Sequence, residues 1–267
     1  MDPTATLAAE YSGLAAAYAR YWGPVLHPLS RALLGSLPLA QASRVLDLGC
    51  GTGDLLPDLR AAATQALIAG VDRSEGMLRL MPRGAASCLA VMDARQLALR
   101  ERIFDVAIIA FVLQHVADPP AGLREMRRIL KPGGTAAVAV WGVASAVPGE
   151  KVWTEELDAC GAGPEPRDPS VRRHDMMDTP EKLAALLEGA GFDGVRVWSE
   201  RFARSWTLPD LLELHVHCGQ PARRLAALND AQRAAVRARV EARLATSTDE
   251  ERTYRPDVVF GVGRAPA

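Results

Sequence analysis

Gly49, Gly51 and Gly53 stand at alternate positions directly after Val45-Leu46-Asp47-Leu48, a short apolar run with one acid inside it. Glycine lacks a Cβ and accepts positive φ, so a strand entering such a turn offers bare backbone to a ligand. A helix expected from about Asp54 to Arg60 would turn its free N–H groups towards the same place. The spacing G-x-G-x-G departs from the G-x-G-x-x-G of dinucleotide-binding folds and argues against a nicotinamide or flavin. Asp47 adds a second argument. A carboxylate repels a neighbouring phosphate and attracts an ammonium or sulfonium group.

About twenty residues later Asp72 closes a second apolar run, Ala66 to Val71. A short acid at a strand end accepts hydrogen bonds from both hydroxyls of a ribose. Asp72 could equally cap a helix starting near Ser74. His115 follows the apolar run that begins at Phe104, and an imidazole titrates near neutral pH, as a general base should. The alternative is a hydrogen-bonded histidine that orients its loop without taking a proton. His215 and His217 sit two apart on a helical pattern and face different ways, which argues against a shared metal. Cys50, Cys88, Cys160 and Cys218 form no C-x-x-C pair, so reduced thiols, a cytoplasmic location and no metal are expected.

Strand and helix signals alternate from Val45 to Trp141, the pattern of a parallel sheet covered by helices on both faces. Ahead of it, Leu7 to Leu37 reads as two helices broken at Gly23-Pro24 and rich in aromatics, Tyr11, Tyr18, Tyr21 and Trp22. Residues 142–179 are rich in Gly, Pro and charge and read as a mobile connection holding one helix, Glu150 to Ala159. A helix from Thr179-Pro180 to Gly191-Phe192 and a strand from Val195 to Phe202 follow. About fifty residues with two helix patterns, Pro209 to Cys218 and Asn229 to Leu244, then precede a last strand at Asp257 to Gly263.

These motifs, in this order, resemble the class I S-adenosylmethionine-dependent methyltransferases, in the small-molecule branch similar to the ubiquinone/menaquinone-biosynthesis enzymes ("type 11"). The likeness rests on R-V-L-D-L-G-C-G-T-G (44–53), A-L-I-A-G-V-D (66–72), C-L-A-V-M-D-A (88–94), F-D-V-A-I-I-A-F-V-L-Q-H-V (104–116) and L-R-E-M-R-R-I-L-K-P-G-G-T (123–135). It implies a doubly wound α/β fold, a seven-stranded, mostly parallel sheet with an antiparallel last strand, plus helical cap elements. The division it suggests is cap helices at 1–40, a cofactor-binding core at 41–142, a connection at 143–179, a core helix and strand at 180–203, a cap insert at 204–250 and the last strand at 251–267. The resemblance implies S-adenosylmethionine as cofactor, held by Asp47, Gly49, Cys50, Gly51 and Gly53, by Asp72 and Arg73 at the ribose, and by Met77, Asp93 and Ala94 at the adenine. It gives the Phe111 carbonyl to the donor's ammonium group and lets Tyr18 close over the donor. Tyr21, Gln114, Trp141 and His215 are the expected acceptor contacts, and His115 the expected catalytic residue.

A net charge of −1 gives no electrostatic case for nucleic acid or an anionic membrane. The run Val106 to Leu113 is too short to span a bilayer, and no basic residue precedes Arg20, unlike a secretory signal. Hydrophobic residues at 49% and charged residues at 24% fit an ordinary globular chain. Of the basic residues only Lys131, Lys151 and Lys182 are lysines, a bias associated with GC-rich bacterial genomes. The expected enzyme moves a methyl group to a small, fairly hydrophobic acceptor, most readily a hydroxyl of a secondary metabolite or quinone-like ring. N- or C-methylation, or a cyclase that keeps the cofactor unreacted, are the alternatives; monomer and homodimer stay open.

Overall fold

The computed structural model describes every residue except 1, 83, 85, 144 and 145. Its strands are β1 (Arg44–Leu48), β2 (Leu67–Asp72), β3 (Cys88–Val91), β4 (Phe104–Ala110), β5 (Leu130–Trp141), β6 (Asp193–Arg201), β7 (Arg204–Ser205), β8 (Thr253–Tyr254) and β9 (Asp257–Arg264). Seven of them form one sheet in the order β3-β2-β1-β4-β5-β9-β6, and β7 pairs with β8 alone. Within the seven-stranded sheet only β9 runs against both of its neighbours and the other pairings are parallel, while β7 and β8 pair antiparallel. The expected doubly wound sheet with a reversed last strand is therefore present.

Its helices are α1 (Pro3–Ala17), α2 (Gly23–Ala32), α3 (Leu56–Ala62), α4 (Glu75–Arg79), α5 (Pro119–Ile129), α6 (Glu150–Ala159), α7 (Pro180–Gly189), α8 (Leu208–His217), α9 (Gly219–Leu225) and α10 (Asp230–Leu244). The central strands are apolar at nearly every position because helices cover both faces. Period-two alternation sends Val45, Ile68, Val106 and Ile108 to the face covered by α2 and α3. Leu46, Val71, Ala107 and Ile109 pack on the other face with Leu123, Met126 and Leu183 of α5 and α7.

Three departures from the sequence reading have physical reasons. Gly23-Pro24 breaks nothing: a π-helical turn, Tyr18–Trp22, carries α1 into α2, and Pro24 stands in the first turn, where a missing N–H costs no bond. α3 begins at Leu56 rather than Asp54, because the chain needs the intervening turn to leave Gly53 at φ +85°. Between the two expected helices of the 204–250 segment lies a third, α9, whose Arg224 is buried and bonds Asp158 and the carbonyls of Ala162 and Gly163. α6, α8, α9 and α10 share their own small core, centred on Trp153, Leu157, Leu212, Val236 and Val240. Among the described residues no helix is long and apolar enough to cross a membrane.

Candidate functional site

The carboxyl ends of β1, β2 and β4 open into a cleft lined by Gly49, Gly51, Asp72, Met77, Met92, Asp93, Ala94, Phe111 and His115, among others. The glycines build its floor. Gly49 holds φ +80°, and a Cβ there would lie 2.3 Å from the Val112 side chain. Gly51, at φ +55°, has nothing within 4 Å of the place its Cβ would take, so bare backbone faces the cleft. Its N–H donates to Asp72 at 2.9 Å, and the Ser74 N–H donates to the other carboxylate oxygen at 2.7 Å. Each oxygen thereby keeps a lone pair for a ligand hydroxyl. Burial raises the Asp72 carboxyl, and these backbone donors work against that. Ser74, not Asp72, caps α4, accepting from the Met77 N–H, so the carboxylate of Asp72 is not the helix cap.

Phe111 is a bulky residue at φ +57°, a strained backbone that clusters at functional sites. Its N–H is tied to the Ala139 carbonyl, its carbonyl accepts from Gln114 Nε2 at 2.8 Å, and its ring lies 4.5 Å from Trp141. Asp93 sits on the cleft edge between two guanidinium groups, Arg73 and Arg95, each at 2.8 Å. Burial works to raise its carboxyl, but the Arg95 hydrogen bonds and the charge of Arg73 prevail and hold it below the ordinary range. Arg73 also reaches Asp2 at 2.6 Å. That pair pins the start of α1, whose Thr4, Leu7, Ala8 and Tyr11 roof the cleft.

A second cavity, of about 410 Å³, lies beyond the first and is walled by Trp22, Trp141 and Tyr254 on one side and by Glu150, Arg167, His174, His215 and Arg223 on others. Tyr11, Tyr18 and His115 line both spaces. His115 Nδ1 lies 3.3 Å from the Val171 carbonyl, which makes Nδ1 the protonated nitrogen, and Nε2 faces the Tyr11 hydroxyl at 3.4 Å. Burial first, then the charges of Arg167 and His174, push this imidazole down to about 3. It is a neutral hydrogen-bond acceptor at any physiological pH.

Not every residue expected at the site is there. Cys50 is buried in the core with its Sγ against Gly70, and Gly53 faces Met81. Asp47 is buried behind the cleft wall, where burial first and then Asp72 raise its carboxyl to about 7. Gln114 is fully buried and serves as the strut under Phe111. Tyr21 lies outside both spaces, stacked on His217 with centroids 5.0 Å apart. Trp141 and His215 do line the second cavity, although His215 spends Nε2 on the Pro148 carbonyl at 2.7 Å. The sequence reading missed Tyr11, Glu150, Arg167, His174 and Arg223, which come together only through contacts between distant helices. The one signal for Tyr11 was its place seven residues, about two helical turns, before Tyr18, on the same face.

The residue set suits S-adenosylmethionine, the ligand that the resemblance implies. It combines bare glycine backbone, a ribose-sized acid acceptor at Asp72 and an apolar slot between Met77, Met92 and Val116, while Arg73 at its edge is paired with Asp93 and Asp2. Residues 46–138 match the family described as "Methyltransferase domain". The chain is 39% identical over 108 residues to a ubiquinone/menaquinone biosynthesis C-methyltransferase of Syntrophotalea carbinolica, covering 39% of this chain and 46% of that one. It is 33% identical over 176 residues to a demethylmenaquinone methyltransferase of Beutenbergia cavernae, covering 62% of this chain and 72% of that one. The chain thus spans about half the length of the first relative and nearly three quarters of the second. Its fold is similar to a Haemonchus contortus phosphoethanolamine N-methyltransferase solved with S-adenosylhomocysteine, at TM-score 0.53 and 19% identity over 90% of this chain and 53% of that one. With the glycine turn, Asp72 and the sheet order in place, the chain belongs to the class I S-adenosylmethionine-dependent methyltransferases, in the small-molecule branch that includes the ubiquinone/menaquinone-biosynthesis enzymes.

Proposed function

We propose that the enzyme methylates a small, hydroxylated aromatic acceptor bound in the second cavity, with the donor in the glycine-floored cleft. The observation that carries this reading is the shared wall: Tyr11, Tyr18 and His115 border both spaces, so two ligands would meet there. Asp72 holds the ribose hydroxyls, Met77 and Ala94 flank the adenine, and the spare lone pair of the Phe111 carbonyl takes the ammonium group. Bound S-adenosylmethionine supplies an electrophilic methyl group on a sulfonium centre. The protein's part is alignment and exclusion of water.

Of the two roles open to His115, its neutral state favours orientation. Nε2 accepts a hydrogen bond from Tyr11 or from the acceptor hydroxyl and turns an oxygen lone pair towards the donor. Transfer to a ring carbon beside the hydroxyl is the second reading, and the quinone-biosynthesis names of the relatives favour it. Residues 1–40, 143–179 and 204–250 act as the acceptor-selecting cap, and the four free cysteines suit a cytoplasmic enzyme working on a small molecule, without nucleic acid. The test is incubation with S-adenosylmethionine and a series of phenols, hydroquinones and naphthols, followed by mass spectrometry and NMR of the product. Accumulation of S-adenosylhomocysteine with a methylated ring supports the reading. A donor that binds and is never consumed, while an acceptor is rearranged, overturns it in favour of a cofactor-retaining cyclase.

A further inference from the structure

The cavity beyond His115 carries an unbalanced charge. Arg223 is spent: Nε and Nη2 each lie 2.8 Å from Glu165, and Nη1 lies 3.4 Å from Glu10. Arg167 Nε is 3.2 Å from the same Glu165, and Asp178 is held by Lys182 at 2.7 Å. Glu150, the first residue of α6, lines the cavity too and is partly buried; the Val147 backbone N–H reaches its carboxylate, but among the described residues no ion pair does. Burial raises this carboxyl above its ordinary range, and the charge of Arg223 offsets only part of that.

Three rings share this cavity with Glu150. Trp22, Trp141 and Tyr254 line the same cavity with centroids 6.0, 6.1 and 6.5 Å apart. Glu150 and the three rings line one cavity, and the charge of Glu150 is felt at the Tyr254 phenol, after burial the second cause of its upward shift. Aromatic faces attract a cation, and a carboxylate withdrawn from water gains most from one that it can bond directly.

We propose that Glu150 and the Trp22–Trp141–Tyr254 cluster form a subsite for an aliphatic ammonium group, so that the acceptor is a hydroxylated aromatic bearing a basic amine. This rests on the reading of the cavity as the acceptor site. An acid in the first turn of α6 also stabilises the helix dipole, but that role alone gives no discrimination between acceptors.

The test is calorimetric titration of the full chain, saturated with S-adenosylhomocysteine, with tyramine and with 4-ethylphenol, which has the same ring and no ammonium. The wild type should bind tyramine at least roughly ten-fold more tightly. Glu150→Gln, checked for an unchanged melting temperature, should erase the difference and leave 4-ethylphenol binding as it was. Equal affinity of the wild type for the two probes, or binding of neither, overturns the subsite, and this comparison needs no variant. So does a Glu150→Gln protein that weakens both probes alike. A preference for tyramine without any methylated product from S-adenosylmethionine would leave the subsite standing and remove the proposed reaction.

Discussion

The donor cleft and the acceptor cavity share a wall but are built by opposite means. The cleft is made of backbone: glycines at positive φ, N–H groups aimed at Asp72, and a strained Phe111 carbonyl, all at strand ends within one continuous stretch of sheet. The cavity is made of side chains from α1, the π-helical turn, α6, α8, α9 and the 165–178 segment, which approach each other only after the chain has folded. Backbone geometry tolerates few substitutions and holds one ligand. Side chains on separate helices change one at a time, which suits the part of an enzyme that selects among acceptors. The comparison says where mutations should abolish function and where they should only redirect it.

Gly49→Ala should have the largest effect. The new Cβ would meet Val112 at 2.3 Å at a φ of +80°, and the left-handed backbone alone costs a non-glycine residue about 1–2 kcal/mol. Moving Val112 displaces its neighbour Phe111, so S-adenosylhomocysteine affinity should fall by roughly 100-fold, as a shift of about 1 Å at a site does. Gly13→Ala is the counterpart. It lies inside α1 with nothing within 4 Å of its Cβ position and should gain about 0.5–1 kcal/mol from helix propensity. Equal donor affinity in wild type and Gly49→Ala, measured by calorimetry, would mean that the glycine floor does not hold the donor.

His115 stands on the shared wall and tests whether the two spaces cooperate. His115→Ala should lower kcat by roughly ten-fold or more while leaving donor affinity nearly unchanged, and Tyr11→Phe should do the same more weakly. With its pKa at about 3 in the folded chain, His115 should contribute no limb to the kcat profile around neutral pH. A limb near pH 6.5 that disappears in His115→Ala would restore the general base. The stability effect has a definite sign. The folded value lies below the ordinary 6.5, so the unfolded chain takes the proton first. The contribution is complete above pH 6.5 and is lost as the pH falls towards 3.

The same contrast explains what could be read from the sequence. The strands of the main sheet and the glycine turn were legible because short apolar runs and glycine spacing are local properties, and Asp72, Met77, Asp93 and Phe111 came with them. Cys50 and Gly53 were placed on the ligand by motif neighbourhood, whereas the turn after β1 carries Cys50 into the core and Gly53 towards Met81. The cavity was nearly illegible. Glu150 and Trp22 are 128 residues apart yet face one space, and no local pattern encodes such a meeting. Helix α9 escaped notice because it is short, follows α8 after a single residue and carries Pro221, which reads as a breaker but sits in the first turn.

Asp47 offers a smaller, pH-resolved effect on the donor side. Its folded pKa, about 7, lies above the ordinary 3.8 through burial and the charge of Asp72. Its contribution is therefore complete below pH 3.8 and is lost as the pH rises through 7. Asp47→Asn should melt several degrees higher than the wild type at pH 8, roughly as a change of 1–2 kcal/mol does, and the gap should narrow at pH 5 and close only below about pH 4. A gap of the same size at both pH values would mean that Asp47 ionises freely in the folded protein.

The smallest effect belongs to the outer face of α10, where Arg239 and Arg243 bond Glu156 at 2.7 and 2.9 Å and Arg243 bonds Glu155 at 2.6 Å. Three short contacts in one patch look like a clamp on the helices behind the cavity. The arginines are close to half exposed, however, at 45% and 42% of their side-chain surface, and an exposed pair gains little because water weakens its attraction and two long side chains must be immobilised. Replacing both by alanine should leave the melting temperature and the acceptor preference unchanged within error. Arg224 makes a comparable set of bonds but is only 4% exposed. Arg224→Ala strands the Ala162 and Gly163 carbonyls and should cost about 2 kcal/mol or more. Equal losses from the two substitutions would mean that surface charge, rather than the packed core around Trp153, holds these helices over the cavity.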